Sequence, residues 1–180
     1  MDIGQFLDSL QASALATWIR ESLYAFPLIE SFHVIGLTLV FGTTAILDLR
    51  LMGLASVQRP FRKVAADLLK WTWAGFALAV MTGLLMFITN AQVYFNNLQF
   101  RLKMAALVLA GINVLVFELT AGRTIHRWDS DKAAPFSGRL AGAFSLVLWI
   151  SIIFLGRWIG FRTSGQTAPT NDIQIEDIFK

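Results

Sequence analysis

The chain contains no cysteine, which excludes disulfides, zinc ribbons, thiolate-held clusters and C-x-x-C-H haem attachment together. It has only two histidines, and no Met-rich or multi-histidine copper motif occurs. Charge is scarce as well, at 15% of residues, below what a soluble domain spends on its solvated faces. No Ser-His-Asp order or metalloprotease motif occurs, and no basic stripe with interleaved aromatics. These absences argue against a hydrolase and against a nucleic-acid binder. The first residues carry Asp2 and Asp8 where a cleaved signal peptide would carry basic residues.

What the chain has in quantity is apolar length. Hydrophobic residues make up 56% of the sequence, and the mean hydropathy is +0.59. Four apolar runs, Leu23–Leu54, Trp71–Thr89, Leu102–Thr120 and Leu140–Ile159, have membrane length. About 20 helical residues at a rise of 1.5 Å cover the roughly 30 Å hydrocarbon layer. The expected fold is therefore all-α, an integral membrane four-helix bundle filling residues 23–160. Residues 1–22 should form an amphipathic interfacial helix, since Ile3, Phe6, Leu7, Leu10, Ala14 and Trp18 recur at helical spacing. Pro27 suits the first turn of the first span. The stretch 91–100 should be a short connection, and 161–180 a polar tail.

Lys and Arg set the expected orientation. Arg50, Arg59, Arg62, Lys63 and Lys70 follow span one, and Arg123, Arg127, Lys132 and Arg139 follow span three. These are nine of the 15 basic residues in the chain. The positive-inside rule then puts both termini on the outer side, periplasmic for a bacterial inner membrane. The net charge of +3 is mostly this topogenic signal.

Polar residues inside the spans are the functional candidates, because an unpaired charge in hydrocarbon costs several kcal/mol. Glu30 and His33 stand three apart in span one, on one helical face with Leu37, Phe41, Thr44 and Asp48. Carboxylate and imidazole together suit Cu, Zn or Fe, with both side chains turned into the bundle. A haem b held on His33 alone is a variant of this reading, with Trp149 and Asn113 as further cofactor contacts. Lys103, near the same depth, is expected to reach the same outer cavity or to snorkel. Asn113 also suits a hydrogen bond between helices. Asp48 and Arg50 point apart on the helix and are expected at the inner headgroups. His126, beside Arg127 and Trp128, reads as an interfacial anchor on the side opposite His33, which argues against a bis-histidine haem.

Gly138, Gly142, Gly156 and Gly160 form two G-x-x-x-G pairs on one face of span four, with Ser145 and Trp149 between them. Small residues let helix backbones approach closely. That face serves either packing within the chain or a homo-oligomer or membrane-complex partner.

The motif Glu30-Ser31-Phe32-His33 with Gly36, then Asp48-Leu49-Arg50-Leu51-Met52-Gly53, resembles a family of small bacterial inner-membrane proteins of uncharacterised function. The likeness continues through Thr82-Gly83-Leu84, Phe100-Arg101-Leu102-Lys103 and Gly111-Ile112-Asn113. The Lys-to-Asn arrangement is more distantly similar to the membrane domain of copper-resistance protein D, a family associated with copper handling. The first resemblance implies a fold and a membrane address and brings no reaction with it.

Three functions remain open. The leading one is a non-catalytic membrane protein that binds a metal ion or redox cofactor at the outer side through Glu30 and His33. The second is an accessory subunit of a larger membrane complex. The third is proton or solute transport along the Glu30-to-Asp48 face, which Leu37 and Phe41 obstruct and no inverted repeat supports.

Overall fold

A computed structural model describes residues 2–131 and 133–167. The helices in chain order are α1 (Ile3–Gln11), α2 (Ala14–Glu21), α3 (Ala25–Met52), α4 (Phe61–Thr89), α5 (Ala91–Asn96), α6 (Leu98–Leu119), α7 (Ile125–Trp128) and α8 (Phe136–Thr167). Four of them, α3, α4, α6 with its continuation to Trp128, and α8, are long and apolar enough to cross a membrane. The fold is the expected all-α bundle of four long apolar helices.

The four pack as a row more than as a ring. The broadest seam joins α3 to α4, and further seams join α3 to α8 and α8 to α6. No such seam runs between α4 and α6. They meet through aromatic rings near their ends: Phe87 stacks on Phe100 with centroids 5.5 Å apart, and Phe61 meets Phe117 edge-on at 6.0 Å.

Glycine sets the tightest seams. A Cβ on Gly36 of α3 would stand 2.9 Å from the Ala79 backbone nitrogen on α4. Below this contact the Thr72 hydroxyl donates to Thr43 Oγ1 at 2.8 Å, tying α4 to α3 inside the bundle. On the other side of α3, a Cβ on Gly142 would stand 2.9 Å from the Asp48 carbonyl oxygen. With no hydrophobic effect between helices in lipid, such close approach is how dispersion and hydrogen bonding hold a bundle.

The glycines of α8 do not form one free face. Gly138 packs against Ala134 and Ala121, Gly142 against α3, and Gly156 against the Lys103 side chain, while a Cβ on Gly160 would meet none of the described atoms within 4 Å. The expectation of a partner surface along all four is corrected on this point, because three of the four are filled from within the chain.

Two ends close the row differently. At the first end, the expected single amphipathic helix is two, broken at Ala12–Ser13, where the Ser13 hydroxyl accepts from the Ala16 N–H at 3.3 Å and starts α2. These helices pack on α4 and α5. The Gln92 backbone N–H donates to Gln11 Oε1 at 2.7 Å, its side-chain amide donates to Asp8 at 3.1 Å, and Arg20 donates to the Thr89 carbonyl at 2.8 Å, capping α4. We call this the capped end.

At the opposite, loop end, α3 stops at Gly53, whose φ of 76° is the left-handed conformation glycine adopts without strain. Arg50 is completely buried there. Its Nε donates to the Arg59 carbonyl at 3.0 Å, and its Nη2 to the carbonyls of Asp129 at 3.2 Å and Asp131 at 2.9 Å. The expectation that Arg50 reaches headgroups is corrected: the planar fork of guanidinium donors instead gathers both loops of this end. Asp129 accepts from the N–H groups of Phe61 and Arg62, starting α4. Beneath lies a core of Leu47, Leu51, Phe61, Val64, Ala121, Trp128 and Ala134.

Three helices begin earlier than their apolar runs. In α4, Arg62, Lys63 and Asp67 are exposed while Phe61 and Val64 are buried, so its first turns are amphipathic and carry charge outside the hydrocarbon. Likewise α8 continues as helix to Thr167, into the stretch expected to be tail. The rest of that stretch, 168–180, lies outside the described residues.

Candidate functional site

His33 projects from α3 toward α4 and is half-buried. A Cβ on Gly83 would stand 3.1 Å from its Cε1, so Gly83 makes room for the ring. Its Nδ1 lies 3.0 Å from Thr82 Oγ1. Thr82 has one hydroxyl proton, and we assign it to the Leu78 carbonyl, its nearest acceptor at 2.6 Å. Thr82 Oγ1 therefore accepts from His33, which places the proton of the neutral ring on Nδ1. The Ala79 carbonyl also faces the imidazole. The Nε2 lone pair is left for a ligand. This arrangement, one ring N–H held by a protein oxygen and the other nitrogen free to ligate, is how metal-binding histidines are oriented.

Lys103 approaches from α6, half-buried. A Cβ on Gly156 of α8 would stand 3.4 Å from its Nζ, so the side chain crosses to α8 in the bundle and does not snorkel away from it. It comes near enough to His33 for their charges to interact. Neither His33 Nε2 nor Lys103 Nζ is a buried orphan.

Glu30 was expected to turn inward with His33, and it does not. It is exposed, in the second turn of α3. Residues three apart on a helix are offset by about 60°, and His33 takes the side that meets α4. The carboxylate stays where water or headgroups solvate it, since burial would require an inner partner. Glu30 is close enough to act on Tyr94 of α5, whose hydroxyl is pushed above its ordinary pKa first by burial and then by this carboxylate. Tyr94 packs against both Phe87 and Phe100, with centroids 6.4 and 5.9 Å away. These rings cover the capped end of the site.

The other candidates lie elsewhere. Asn113 donates to the Ala141 carbonyl at 3.0 Å, tying α6 to α8. Trp149 packs on the cluster of Ala106, Ala110, Leu148 and Ile152 at the same seam. Asp48 is buried against α8, about 22 Å along α3 from His33, and so misses the headgroups it was expected to reach. His126 is exposed beyond α6. No group of three or more His, Cys, Asp or Glu that could hold a metal ion occurs among the described residues.

Thr82 and Gly83 were quoted only as part of a motif, and their contact with His33 went unread. The signal was available: Gly75, Ala79 and Gly83 repeat every four residues on α4, a small-residue stripe that marks close helix approach. Gly83 also stands one turn beyond Ala79, so the same stripe leads to the imidazole.

Four long apolar helices, short connecting helices and polar groups held within the spans define a multi-pass membrane protein. The chain belongs to DUF6644, a family of unknown function, whose family model matches residues 17–162. No curated protein and no solved structure matches the chain, so the distant likeness to copper-resistance protein D is not shown.

Proposed function

We propose that the protein binds a redox cofactor of the haem class in the capped half of the bundle, with His33 Nε2 as the one axial ligand. The observation that carries this reading is the His33–Thr82 contact with the Thr82 proton committed to Leu78, which leaves Nε2 the ligating nitrogen. A bare cation is disfavoured on two grounds. Among the described residues no cluster supplies three donors, and Lys103 adds positive charge beside the imidazole. An iron porphyrin removes both difficulties, since it brings four nitrogens of its own and carboxylates that an ammonium can pair with. Glu30 stands at the mouth of this site and is not a ligand. The excess of Lys and Arg at the loop end supports placing the capped end outside, periplasmic in a bacterial inner membrane.

The accessory-subunit reading draws on the glycine face of α8, the N-terminal interfacial segment and the tail as contact surfaces; of these, Gly138, Gly142 and Gly156 are occupied within the chain.

The test is haem titration of the purified full-length protein in nanodiscs. Wild type should develop a saturable Soret band, His33→Ala should lose it, and added imidazole should restore part of it. Lys103→Ala should weaken binding without shifting the band. No Soret band in wild type, or an unchanged one in His33→Ala, would overturn the proposal.

A further inference from the structure

The loop-end half of the bundle holds a second polar group that the haem reading does not use. Asp48 is 7% exposed, and its Oδ2 is buried with no hydrogen-bond partner. An orphaned carboxylate oxygen at such a depth is costly unless something neutralises it. Arg50, two residues on, directs Nε and Nη2 to the carbonyls of Arg59, Asp129 and Asp131.

The other polar atoms nearby are neutral oxygens. The Ser145 hydroxyl of α8 faces the Asp48 carboxyl. Asn113 of α6 uses its Nδ2 on the Ala141 carbonyl, which leaves the amide oxygen Oδ1 as its acceptor atom. At about 100° per residue, Ser145 falls about 40° around α8 from Ala141, the position Asn113 contacts. It falls about 60° from Gly142, which meets α3 at Asp48. Ser145 thus lies on the arc of α8 between α6 and α3. The Asp48 carboxyl of α3 meets the Ser145 hydroxyl on that arc, and Asn113 reaches the same stretch of α8 from α6.

We propose that Asp48, Ser145 and Asn113 form an intramembrane binding site for a monovalent hard cation of the sodium class. Three oxygen donors with no nitrogen or sulfur select against copper and zinc. One carboxylate balances one positive charge, whereas a divalent ion would keep a net charge in a medium that penalises it. Gly142 contributes by its lack of a side chain, letting α3 approach α8 closely enough for the carboxyl to reach Ser145.

The experiment is thermal unfolding of the full-length protein in nanodiscs, with sodium chloride titrated against choline chloride at constant ionic strength and pH. Wild type should show a saturable, sodium-dependent rise in unfolding temperature. Asp48→Asn should abolish it, and Ser145→Ala and Asn113→Ala should each raise the half-saturating sodium concentration by about tenfold. If Asp48→Asn fails to fold, the titrations of Ser145→Ala and Asn113→Ala decide. The proposal is overturned by a wild type indifferent to sodium, by a response that survives in Asp48→Asn, or by one unchanged in both Ser145→Ala and Asn113→Ala. Wild-type stability that follows pH but not sodium would also overturn it, giving the orphan oxygen a proton in place of a metal cation.

Discussion

Gly36 and Gly75 face each other across α3 and α4 so closely that a Cβ built on either would stand 3.0 Å from the other's carbonyl oxygen. The obstacle is backbone on both sides and cannot rotate away. Gly36→Val and Gly75→Val should each destabilise by about 1–3 kcal/mol or more, the cost of overpacking a seam that cannot relax. Gly42→Ala and Gly111→Ala, where a Cβ would meet nothing within 4 Å, should be neutral or slightly stabilising, since alanine is the better helix former. Thermal unfolding of the four variants in one detergent gives the comparison.

Arg50 should not tolerate lysine. Arg50→Lys keeps the charge but cannot reproduce the fork that reaches three carbonyls in two loops. A loss of more than about 2 kcal/mol is expected, because buried carbonyls are left unsatisfied. Hydrogen exchange should accelerate in both loops of that end while α5 is unaffected. Equal exchange in variant and wild type would show that the clamp is dispensable.

Thr82→Val preserves shape and removes the oxygen that accepts from His33 Nδ1. Affinity for haem should fall on the order of 10–100-fold, the usual effect of deleting the partner that orients a ligating histidine. Nitrogen chemical shifts of the His33 ring should report a changed tautomer population. A variant with wild-type affinity would mean that Thr82 does not position the imidazole.

Stability should fall at alkaline pH through Tyr94. Burial and Glu30 raise its pKa above the ordinary tyrosine value, so the folded state retains the proton where the unfolded state has lost it. The contribution is fully present below about pH 10 and is lost as pH rises through the higher folded value. Tyr94→Phe should flatten that alkaline decline, and Glu30→Gln should shift the Tyr94 titration downward. Absorbance of the two tyrosines against pH, read alongside unfolding temperature, separates these outcomes.

The spans were legible because hydrocarbon demands apolar length, and nothing else in the composition competes with that signal. Their starts were less so: Arg62, Lys63 and Asp67 sit on turns of α4 that one buried stripe already makes helical. Arg50 was misread because a basic residue near a span end resembles a topogenic charge. Only the folded loops of 53–60 and 129–135 reveal its three acceptors. His33 and Lys103 were found from intramembrane cost alone. Which way each pointed depended on Gly83 and Gly156, residues that act through what they lack. Glu30 shared a helical face with His33, but a 60° offset was enough to leave it outside.

The row of seams bears on how the chain is made. Each broad seam other than α3 to α8 lies within a hairpin of consecutive long helices: α3 with α4, and α6 with α8. A ribosome can therefore deliver the first hairpin to the bilayer with its glycine contact already complete, long before α8 emerges. The second hairpin follows, and assembly ends with a single lateral docking step, at Gly142 against Asp48. Gly142→Leu should accordingly arrest maturation late, leaving two inserted halves that have not joined.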